Sequence, residues 1–315
     1  MDALKIIFMG TPDFAVTSLA KLLDSSYKVV GVITAPDRPA GRGRKLQGSA
    51  VKKYAIDHGL KVLQPLSLKD ETFLREVKSL NANLQVVVAF RMLPKVVWEM
   101  PKYGTFNLHA SLLPNYRGAA PINWAIMNGE TKTGVTTFFI DDKIDTGEII
   151  LQESMRITAE ETAGSLHDKL MVLGADLVIQ TVKQIEKGTV IRTRQSETAN
   201  LRSAFKIHKE TCKIRWNLSI DTIYNHIRGL SPYPTAWTTL YNGEEAIFLK
   251  IYGAFMEKDS HTFKSGTLLQ HKRELKIAVQ GGYIVLTEIQ LPGKRKMPTS
   301  EVLNGLKLKK GAHVG

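Results

Sequence analysis

Short apolar runs alternate with helix-spaced apolar patterns through the first 190 residues of the chain. Alternation of this kind is typical of an α/β protein whose strands lie in one mostly parallel sheet. We predict a Rossmann-like sheet with helices on both faces. The predicted strands are Lys5–Met9, Lys28–Ala35, Leu84–Phe90, Thr105–His109, Val135–Ile140 and Glu148–Met155, and the predicted helices are Pro12–Leu23, Ser49–His58, Pro121–Asn128 and Glu161–Lys187.

The pattern changes after Gly188, where a polar and irregular stretch precedes short, closely spaced strands. Such spacing indicates a small β-barrel, here of the OB-like kind. We therefore predict a catalytic domain over 1–189, a linker over 190–207 and a β-barrel domain over 208–315. Its predicted elements are a helix at Ser219–Arg228, strands at Ala236–Tyr241, Ala246–Tyr252, Leu275–Val279 and Tyr283–Gln290, and a closing helix at Glu301–Lys307.

The positive charge is concentrated in the last third of the chain. The 315 residues carry a net charge of +13, and residues 201–315 hold 18 Lys/Arg against 9 Asp/Glu. A basic excess of this kind suits either a surface that binds a polyanion or an ordinary solubilising surface, and composition leaves both open.

Other bulk features narrow the class of protein. No apolar run approaches the ~18 residues that a membrane-spanning helix needs. The start carries Asp2 and a short apolar run, which predicts a first strand rather than a signal peptide. The single cysteine, Cys212, excludes an intrachain disulfide and is interpreted as an ordinary buried residue. We expect a cytoplasmic protein, monomeric and not bound to membranes.

Candidate chemistry lies just after the predicted strands, where open α/β sheets bind their ligands. Asn107 and His109 are two residues apart, so on a strand both side chains point to the same face. Asp145 lies in the acid-rich loop 141–147 that follows another strand. A hard cation is a competing reading for these acids, but no calcium-loop pattern follows, so hydrogen bonding is preferred. The turn at Gly10 lacks the G-x-G-x-x-G fingerprint, which argues against a dinucleotide-dependent oxidoreductase.

The sequence Asn-x-His-x-Ser-Leu-Leu-Pro over 107–114, followed by Tyr-Arg-Gly-x-x-Pro over 116–121, resembles the folate-dependent formyltransferases. The stretch 134–147 has the same resemblance. By that resemblance, 10-formyltetrahydrofolate is the co-substrate, and no metal is implied. The implied catalytic residues are Asn107, His109 and Asp145, and the implied folate-binding residues are Ser111, Leu112, Leu113 and Pro114.

Four further segments are similar to the methionyl-tRNA formyltransferases within that superfamily. They are the opening 6–14, the Gly- and Arg-rich loop 36–46, and the stretches 204–210 and 232–237. The resemblance implies initiator methionyl-tRNA as the partner, with the loop entering its acceptor arm. One departure is Arg91-Met92, where the family more often has Gly and aliphatic residues beside the pterin. The implied tRNA-binding residues are Arg38, Arg42, Arg44, Lys45, Lys206 and Lys209.

Elementary chemistry agrees with formyl transfer. An amine attacks the formyl carbon, negative charge builds on oxygen, and donors aimed at that oxygen stabilise it. The Asn107 amide is such a donor, protonated His109 is another, and Asp145 can orient His109 and relay protons. Two rival interpretations remain open: the same chemistry on an amino-sugar nucleotide, and a non-catalytic RNA-binding protein on this scaffold.

Overall fold

The computed structural model describes residues 2–40, 45–197 and 200–315. Within these residues one sheet has the strand order β10-β9-β7-β6-β1-β2-β5. Strands and helices alternate along this part of the chain, as predicted. The strands are β1 (Lys5–Gly10), β2 (Lys28–Ile33), β3 (Arg38–Ala40), β4 (Lys45–Gln47), β5 (Val62–Leu63), β6 (Leu84–Val88), β7 (Thr105–His109), β8 (Arg117–Gly118), β9 (Lys132–Phe139) and β10 (Ile149–Arg156). The helices are α1 (Asp13–Asp24), α2 (Ala50–Asp57), α3 (Glu71–Ser79), α4 (Lys95–Trp98), α5 (Pro121–Met127) and α6 (Ala163–Lys187).

The pairing of these strands confirms a mostly parallel sheet. Strand β1 pairs in parallel with β2 and β6, β2 with β5, and β6 with β7. Strand β9 runs antiparallel to β7, with Asn107 opposite Phe138 and His109 opposite Thr136. The carboxyl ends of the parallel strands therefore meet at one edge, and β7 ends there at His109.

Helices cover both faces of the sheet, as the alternating pattern predicts. On one face α6 packs on β7 and β9, since Gly174 abuts Leu108 and the hydroxyls of Thr181 and Thr137 lie 2.7 Å apart. Helix α1 shares this face through the ion pair between Lys21 and Asp176 of α6. On the other face α3 and α4 pack against β1 and β6. The buried residues of that second contact are Ile7, Met9, Phe73, Val77, Val87 and Val97.

The turn after β1, at Gly10, is closely packed, as predicted from the sequence. A β-carbon on Gly10 would lie 2.6 Å from the β-carbon of Ala15 and 3.0 Å from the carbonyl oxygen of Val88. The missing side chain thus lets α1 approach β1 and β6. Ser49 caps α2 as predicted, since its hydroxyl accepts a hydrogen bond of 3.0 Å from the Lys52 amide.

A second sheet lies later in the chain, in the order β14-β15-β16-β13-β12-β18, with β17 paired to β16. Its pairs β12–β13, β13–β16, β14–β15 and β15–β16 are antiparallel, and the strands form a nearly closed, barrel-like sheet around the buried side of α7. Its elements are β11 (Ser203–Ala204), α7 (Ile220–Leu230), β12 (Ala236–Asn242), β13 (Glu245–Lys258), β14 (Leu268–His271), β15 (Glu274–Val279), β16 (Gly282–Gln290), β17 (Met297–Pro298), α8 (Thr299–Gly305) and β18 (His313–Val314).

Several predicted boundaries differ from the observed ones for physical reasons. Helix α3 was not predicted because only Phe73 and Val77 are buried in an otherwise polar segment. Strand β13 runs six residues beyond its predicted end, because register shifts around Gly253 let it continue beside β16. The expectation that a helix closes the chain was wrong: β18 follows α8 and pairs with β12.

Contacts divide the chain into two compact units that do not follow a single cut in the sequence. The first unit comprises 1–118, 133–155 and 167–203, and the second comprises 119–132, 156–166 and 204–315. Helix α5 therefore packs with α7 in the second unit, where the Asn123 amide donates to the Gly229 carbonyl at 2.8 Å. Cys212 is buried in the second unit, as expected. Across the described residues, no helix is long and apolar enough to cross a membrane.

Truncation of the central strand β1 tests this description of the core. Phe8 is fully buried. Phe8→Ala should lower the free energy of unfolding by about 3–5 kcal/mol, because it removes apolar contacts and leaves a cavity. Leu66→Ala is the control, since Leu66 is 86% exposed. Denaturant unfolding of both variants gives the comparison, and equal losses would contradict the assignment of Phe8 to the core.

Candidate active site

Asn107 and His109 lie on the same face of β7, at its carboxyl end, because alternate residues of a strand share a face. His109 is buried, and its Nε2 atom lies 2.8 Å from the Tyr116 carbonyl oxygen. Its Nδ1 atom lies 3.7 Å from Oδ2 of Asp145. This separation is too long for a direct hydrogen bond but short enough for an ion pair. The fold thus brings together His109, at the end of β7, and Asp145, in a loop 36 residues later in the sequence.

The Asp145 carboxylate is held by the backbone of a neighbouring loop. Its Oδ2 atom accepts a hydrogen bond of 2.9 Å from the Gly118 amide. Asp145 has a φ of +55° and Tyr116 has a φ of +62°, a left-handed conformation that is strained for residues with side chains. Strain of this kind concentrates at functional sites, where the surrounding contacts hold it. Here the two strained residues, Tyr116 and Asp145, are the two residues that contact the nitrogens of His109.

Close packing at Gly147 ends the loop that carries Asp145. A β-carbon at this position would lie 1.6 Å from the Phe139 carbonyl oxygen, so only glycine fits. At the start of the loop, Asp141 accepts hydrogen bonds from the Lys143 amide and the Thr146 hydroxyl. Asp141 is therefore occupied in forming the turn, which leaves Asp145 as the acid beside His109.

Gln195 holds two loops of the site together, and the sequence did not predict this role. Its side-chain amide donates to the carbonyl oxygens of Asp145 and Gly147, at 3.0 and 2.8 Å. Its Oε1 atom accepts from the Arg117 guanidinium at 3.1 and 2.6 Å. Gln195 thus joins the loop of Asp145 to the segment that carries Gly118. It lies in a polar stretch interpreted as linker, and no local pattern distinguishes it there.

The predicted folate-binding segment, Ser111 to Pro114, folds back on β9 and β10. Thr136 donates to the Ser111 carbonyl at 2.6 Å and accepts from the Leu113 amide at 3.1 Å. Gln152 donates to the Leu113 carbonyl at 2.8 Å. Ser111 and Leu113 are buried, whereas Leu112 and Pro114 are partly exposed beyond β7. The backbone of this segment is therefore held rigidly beside the site.

The Asn107 side chain differs from its neighbours because no described residue hydrogen-bonds to its amide. It is partly exposed at the carboxyl edge of the sheet. A primary amide offers two N–H donors and one acceptor. Asn107 is thus the member of the predicted trio whose polar atoms are available to a ligand, whereas both nitrogens of His109 face protein oxygens.

The predicted tRNA-binding cations that the structure describes belong to both compact units. Arg38 is exposed on β3, which pairs with β4, the strand that contains the backbone of Lys45. Arg42 and Arg44 lie outside the described residues. Lys206 and Lys209 are exposed in the second unit.

Asp37, the one acid of the 36–49 segment, is used as an anchor. Its carboxylate accepts hydrogen bonds from Gln64 at 2.8 Å and Lys52 at 2.6 Å, and these bonds lower the pKa of Asp37. The positive charge of Arg38 is therefore not balanced by its neighbour in the sequence. The base of the hairpin is fixed to α2 by the bond from Lys52 to Asp37.

Arg91, which departs from the family pattern, links the segment after β6 to the loop at 65–66. Its guanidinium donates to the carbonyl oxygens of Pro65 and Leu66 at 2.5 and 3.0 Å and lies 5.7 Å from the Phe90 ring. Partial burial, together with the charge of Arg38, lowers the pKa of Arg91. Arg91 therefore bridges two loops at the carboxyl edge, while Met92 is 65% exposed.

The interpretation of the acids in the loop 141–147 as metal ligands has no geometric support in the part of the chain that the structure describes. There, no three His, Cys, Asp or Glu side chains are grouped as ligands for a metal ion. The polar contacts of the site are instead hydrogen bonds among an imidazole, a carboxylate and backbone groups.

Comparison with known proteins gives the family. The profile described as formyl transferase matches residues 4–182, and that of the formyl transferase C-terminal domain matches residues 206–307. The chain is 60% identical over 306 residues to the methionyl-tRNA formyltransferase of Flavobacterium johnsoniae, which covers 97% of each chain. This chain belongs to the formyl transferase family. The family resemblance inferred from the motifs at 107–121 and 134–147 is therefore confirmed.

Solved structures of distant relatives share the fold. One is WlaRD, a sugar 3N-formyl transferase, with a TM-score of 0.65 and 21% identity, covering 94% of this chain and 100% of that one. Another is HypX from Aquifex aeolicus, with a TM-score of 0.67 and 17% identity, covering 98% of this chain and 51% of that one. At these identities the likeness supports the two-part α/β and β-barrel architecture and nothing finer.

Replacement of Gln195 tests whether it holds the loops of this formyl transferase together. Gln195→Ala leaves the Asp145 and Gly147 carbonyls without their donor, and unsatisfied buried groups cost about 1–3 kcal/mol. We expect a loss of that size in the free energy of unfolding. Gln270→Ala is the matched control, because Gln270 is exposed and makes one long hydrogen bond. Equal stability of both variants would show that Gln195 does not hold the loops.

Proposed function

We propose that this protein transfers the formyl group of 10-formyltetrahydrofolate to the amino group of methionine on initiator tRNA. The supporting observation is that His109 and Asp145 lie 3.7 Å apart beside the free amide of Asn107 in a formyl transferase fold. The 60% identity to a methionyl-tRNA formyltransferase over nearly the whole chain supports the acceptor. The protein acts in the cytoplasm as a monomer.

Asn107 serves as the donor to the developing oxyanion. When the amine attacks the formyl carbon, negative charge forms on the formyl oxygen, and a positioned N–H donor stabilises it. The Asn107 amide has no competing partner among the described residues, so it is free to take this role. About a tenth of an α-amino group with a pKa of about 8 is already unprotonated at pH 7. A strong base is therefore not needed to produce the nucleophile.

His109 and Asp145 carry the proton transfers that follow the attack. The tetrahedral intermediate must lose a proton from the attacking nitrogen, and N10 of the folate must gain one as the C–N bond breaks. Nε2 of His109 reaches the substrate once it exchanges the Tyr116 carbonyl for a substrate atom. Asp145, fixed by Gly118 and Gln195, then lies on the Nδ1 side and stabilises the imidazolium.

Ser111, Leu112, Leu113 and Pro114 form part of the folate site. The hydrogen bonds from Thr136 and Gln152 fix the backbone of this segment next to β7. A rigid wall there holds the formyl carbon near Asn107, and such positioning is itself a large part of catalysis of bimolecular reactions.

Contacts to tRNA phosphates come from the second domain, at 208–315, and from the linker, at 190–207. Lys206 and Lys209 are exposed, and Lys209 lies 5.7 Å from the rings of Trp237 and Phe248. Arg38, Arg42, Arg44 and Lys45 contact the acceptor arm. Release of counterions from the phosphates makes such binding strongly dependent on salt.

The rival acceptor, an amino-sugar nucleotide, has less support. A sugar N-formyl transferase shares the fold, but at only 21% identity. The two acceptors are separated by offering the enzyme 10-formyltetrahydrofolate with methionyl-tRNA and, in parallel, with an amino-sugar nucleotide. We expect formylmethionyl-tRNA alone, and formylation of the sugar alone would refute the proposal.

Substitution of the catalytic trio gives the first test of the mechanism. Asn107→Ala should reduce kcat by ~10²–10³, the usual cost of losing an oxyanion donor. His109→Ala and Asp145→Ala should reduce turnover at least as much. Binding of tetrahydrofolate should persist in all three, because the 111–114 segment is untouched. Single-turnover formylation of methionyl-tRNA and folate titration measure the two quantities separately.

Asn217→Ala is the matched control, since Asn217 is an exposed asparagine outside the proposed site. It should retain normal turnover. Near-normal turnover in all three site variants would exclude the proposed trio, even if the protein formylates methionyl-tRNA.

The salt dependence of tRNA binding tests the proposed phosphate contacts. Each lost contact should lower the slope of log affinity against log salt by about 0.7–0.9. We expect this reduction for Lys206→Ala and for Lys209→Ala, with an additive loss in the double variant. Removal of the whole second domain is less informative, because α5 and the start of α6 belong to the second compact unit.

Lys69→Ala serves as the control, because Lys69 is an exposed lysine outside the proposed set. Its slope should equal that of the unmodified protein. Unchanged slopes for both Lys206→Ala and Lys209→Ala would remove these lysines from the proposed tRNA surface.

A further inference from the structure

A short bridging segment, residues 115–118, contacts both ionisable members of the proposed trio. The carbonyl of Tyr116 lies 2.8 Å from Nε2 of His109, and the amide of Gly118 donates to the Asp145 carboxylate at 2.9 Å. The two contacts are two residues apart in the chain. The position of the bridging segment therefore sets the imidazole and the carboxylate together.

The contact between Tyr116 and His109 fixes the histidine ring. Because a carbonyl oxygen can only accept, Nε2 of His109 carries the proton when the ring is neutral. The ring cannot rotate without breaking this bond, so its orientation follows the direction of the Tyr116 carbonyl. Tyr116 has a φ of +62°, a strained conformation that persists only when neighbouring contacts hold it.

The contacts that hold Tyr116 come from Arg202, which lies 86 residues later in the sequence. The Tyr116 amide donates to the Arg202 carbonyl at 2.5 Å, and the Arg202 amide donates to Oδ1 of Asn115 at 3.1 Å. The Arg202 guanidinium also donates to the Tyr116 hydroxyl at 3.2 Å. Backbone and side chain of one residue thus hold the start of the bridging segment.

The place of Arg202 in the chain gives this contact its interest. The sequence predicts a linker at 190–207, yet residues up to 203 belong to the first compact unit, with His109 and Asp145. A cation in a basic linker is otherwise expected to contact phosphates. The guanidinium of Arg202 instead reaches a buried tyrosine that touches the catalytic histidine.

We propose that Arg202 is a positioning residue for formyl transfer. It holds Tyr116, and through Tyr116 and the rest of the bridging segment it orients His109 and Asp145. Arg202 acts through these residues and does not touch the substrates. Its effect on transfer to methionyl-tRNA rests on the proposed function, whereas its effect on the His109 ring depends only on the contacts described.

Kinetics of full-length variants give the first test. Arg202→Ala should lower kcat about tenfold without changing KM for methionyl-tRNA, because displacement of reacting groups by ~1 Å can cost up to ~10² in rate. Arg202→Lys keeps a cationic donor and should recover most of the turnover. Arg75→Ala is the matched control, since Arg75 is an exposed arginine of α3, and it should retain normal kcat.

A double-mutant cycle tests the route through the tyrosine hydroxyl. Tyr116→Phe removes only that hydroxyl, so it should lower kcat in the same way as Arg202→Ala. Combining the two changes should cost no more than the larger single loss, since both remove one interaction. Losses that multiply would show that Arg202 acts by another route and would overturn the proposal. Unfolding curves establish that each variant is folded.

The His109 ring provides a measurement that needs no substrate. In full-length protein labelled with nitrogen-15 at histidine, the Nε2–H of His109 should exchange slowly with water, because it is buried and hydrogen-bonded. The exchange should be faster in Arg202→Ala and slow again in Arg202→Lys. His261 is the internal control, since its Nε2 lies 3.0 and 2.9 Å from two carbonyls of the second unit and should exchange slowly in every variant.

The alternative role of Arg202, a phosphate contact, has a different signature. It would lower the slope of log tRNA affinity against log salt by about 0.7–0.9 in Arg202→Ala and leave kcat unchanged. A normal kcat in Arg202→Ala, or an unchanged exchange rate at His109, would overturn the positioning role and leave the proposed function standing. Faster exchange at His109 in a protein that does not formylate methionyl-tRNA would refute the proposed acceptor and support the positioning role.

Discussion

The hydrogen bonds from Gln195 to the carbonyls of Asp145 and Gly147 hold the loop after β9 in place. That loop has no regular structure of its own, and its backbone groups are partly removed from water. A buried carbonyl without a donor costs free energy, so the loop stays where Gln195 can reach it. The position of the Asp145 carboxylate beside His109 depends on this contact, because the strained backbone at Asp145 would otherwise relax.

The polar side chains at the carboxyl edge of the first sheet form two groups: those that hydrogen-bond to the backbone, and those that remain available to a ligand. Thr136, Gln152 and Gln195 each donate to backbone carbonyls of the segments around β7. Asn107 does not, and its amide remains open to a ligand. The proposed role of Asn107 as oxyanion donor agrees with this division, since a preorganised donor needs little reorganisation when charge develops.

The second unit is built from three stretches of the chain rather than from its last third alone. Helix α5 and the start of α6 pack there with α7 and the barrel-like sheet. Arg228 strengthens this unit, since its guanidinium donates to the Glu161 carbonyl at 2.8 Å. Such interleaving means that the second unit forms only when distant segments of the chain fold together.

The sequence alone determined the order of strands and helices, because periodicity and capping are local properties. It also placed Asn107 and His109 on one face, since side chains on a strand alternate, and the motifs around them indicated the family. These inferences needed residues close together in the chain. The weakly patterned α3 and the last six residues of β13 were missed, because α3 depends on packing and the extension of β13 depends on its register against β16.

Only the tertiary structure decided which distant residues meet. It brought Asp145 to His109, showed that the Gly118 amide holds its carboxylate, and revealed Gln195 in a stretch without local pattern. It also buried Nε2 of His226 without a hydrogen-bond partner among the described residues. Hydrogen bonds between loops form across long sequence separations, and their geometry depends on the packing of the whole unit, which no short window of sequence encodes.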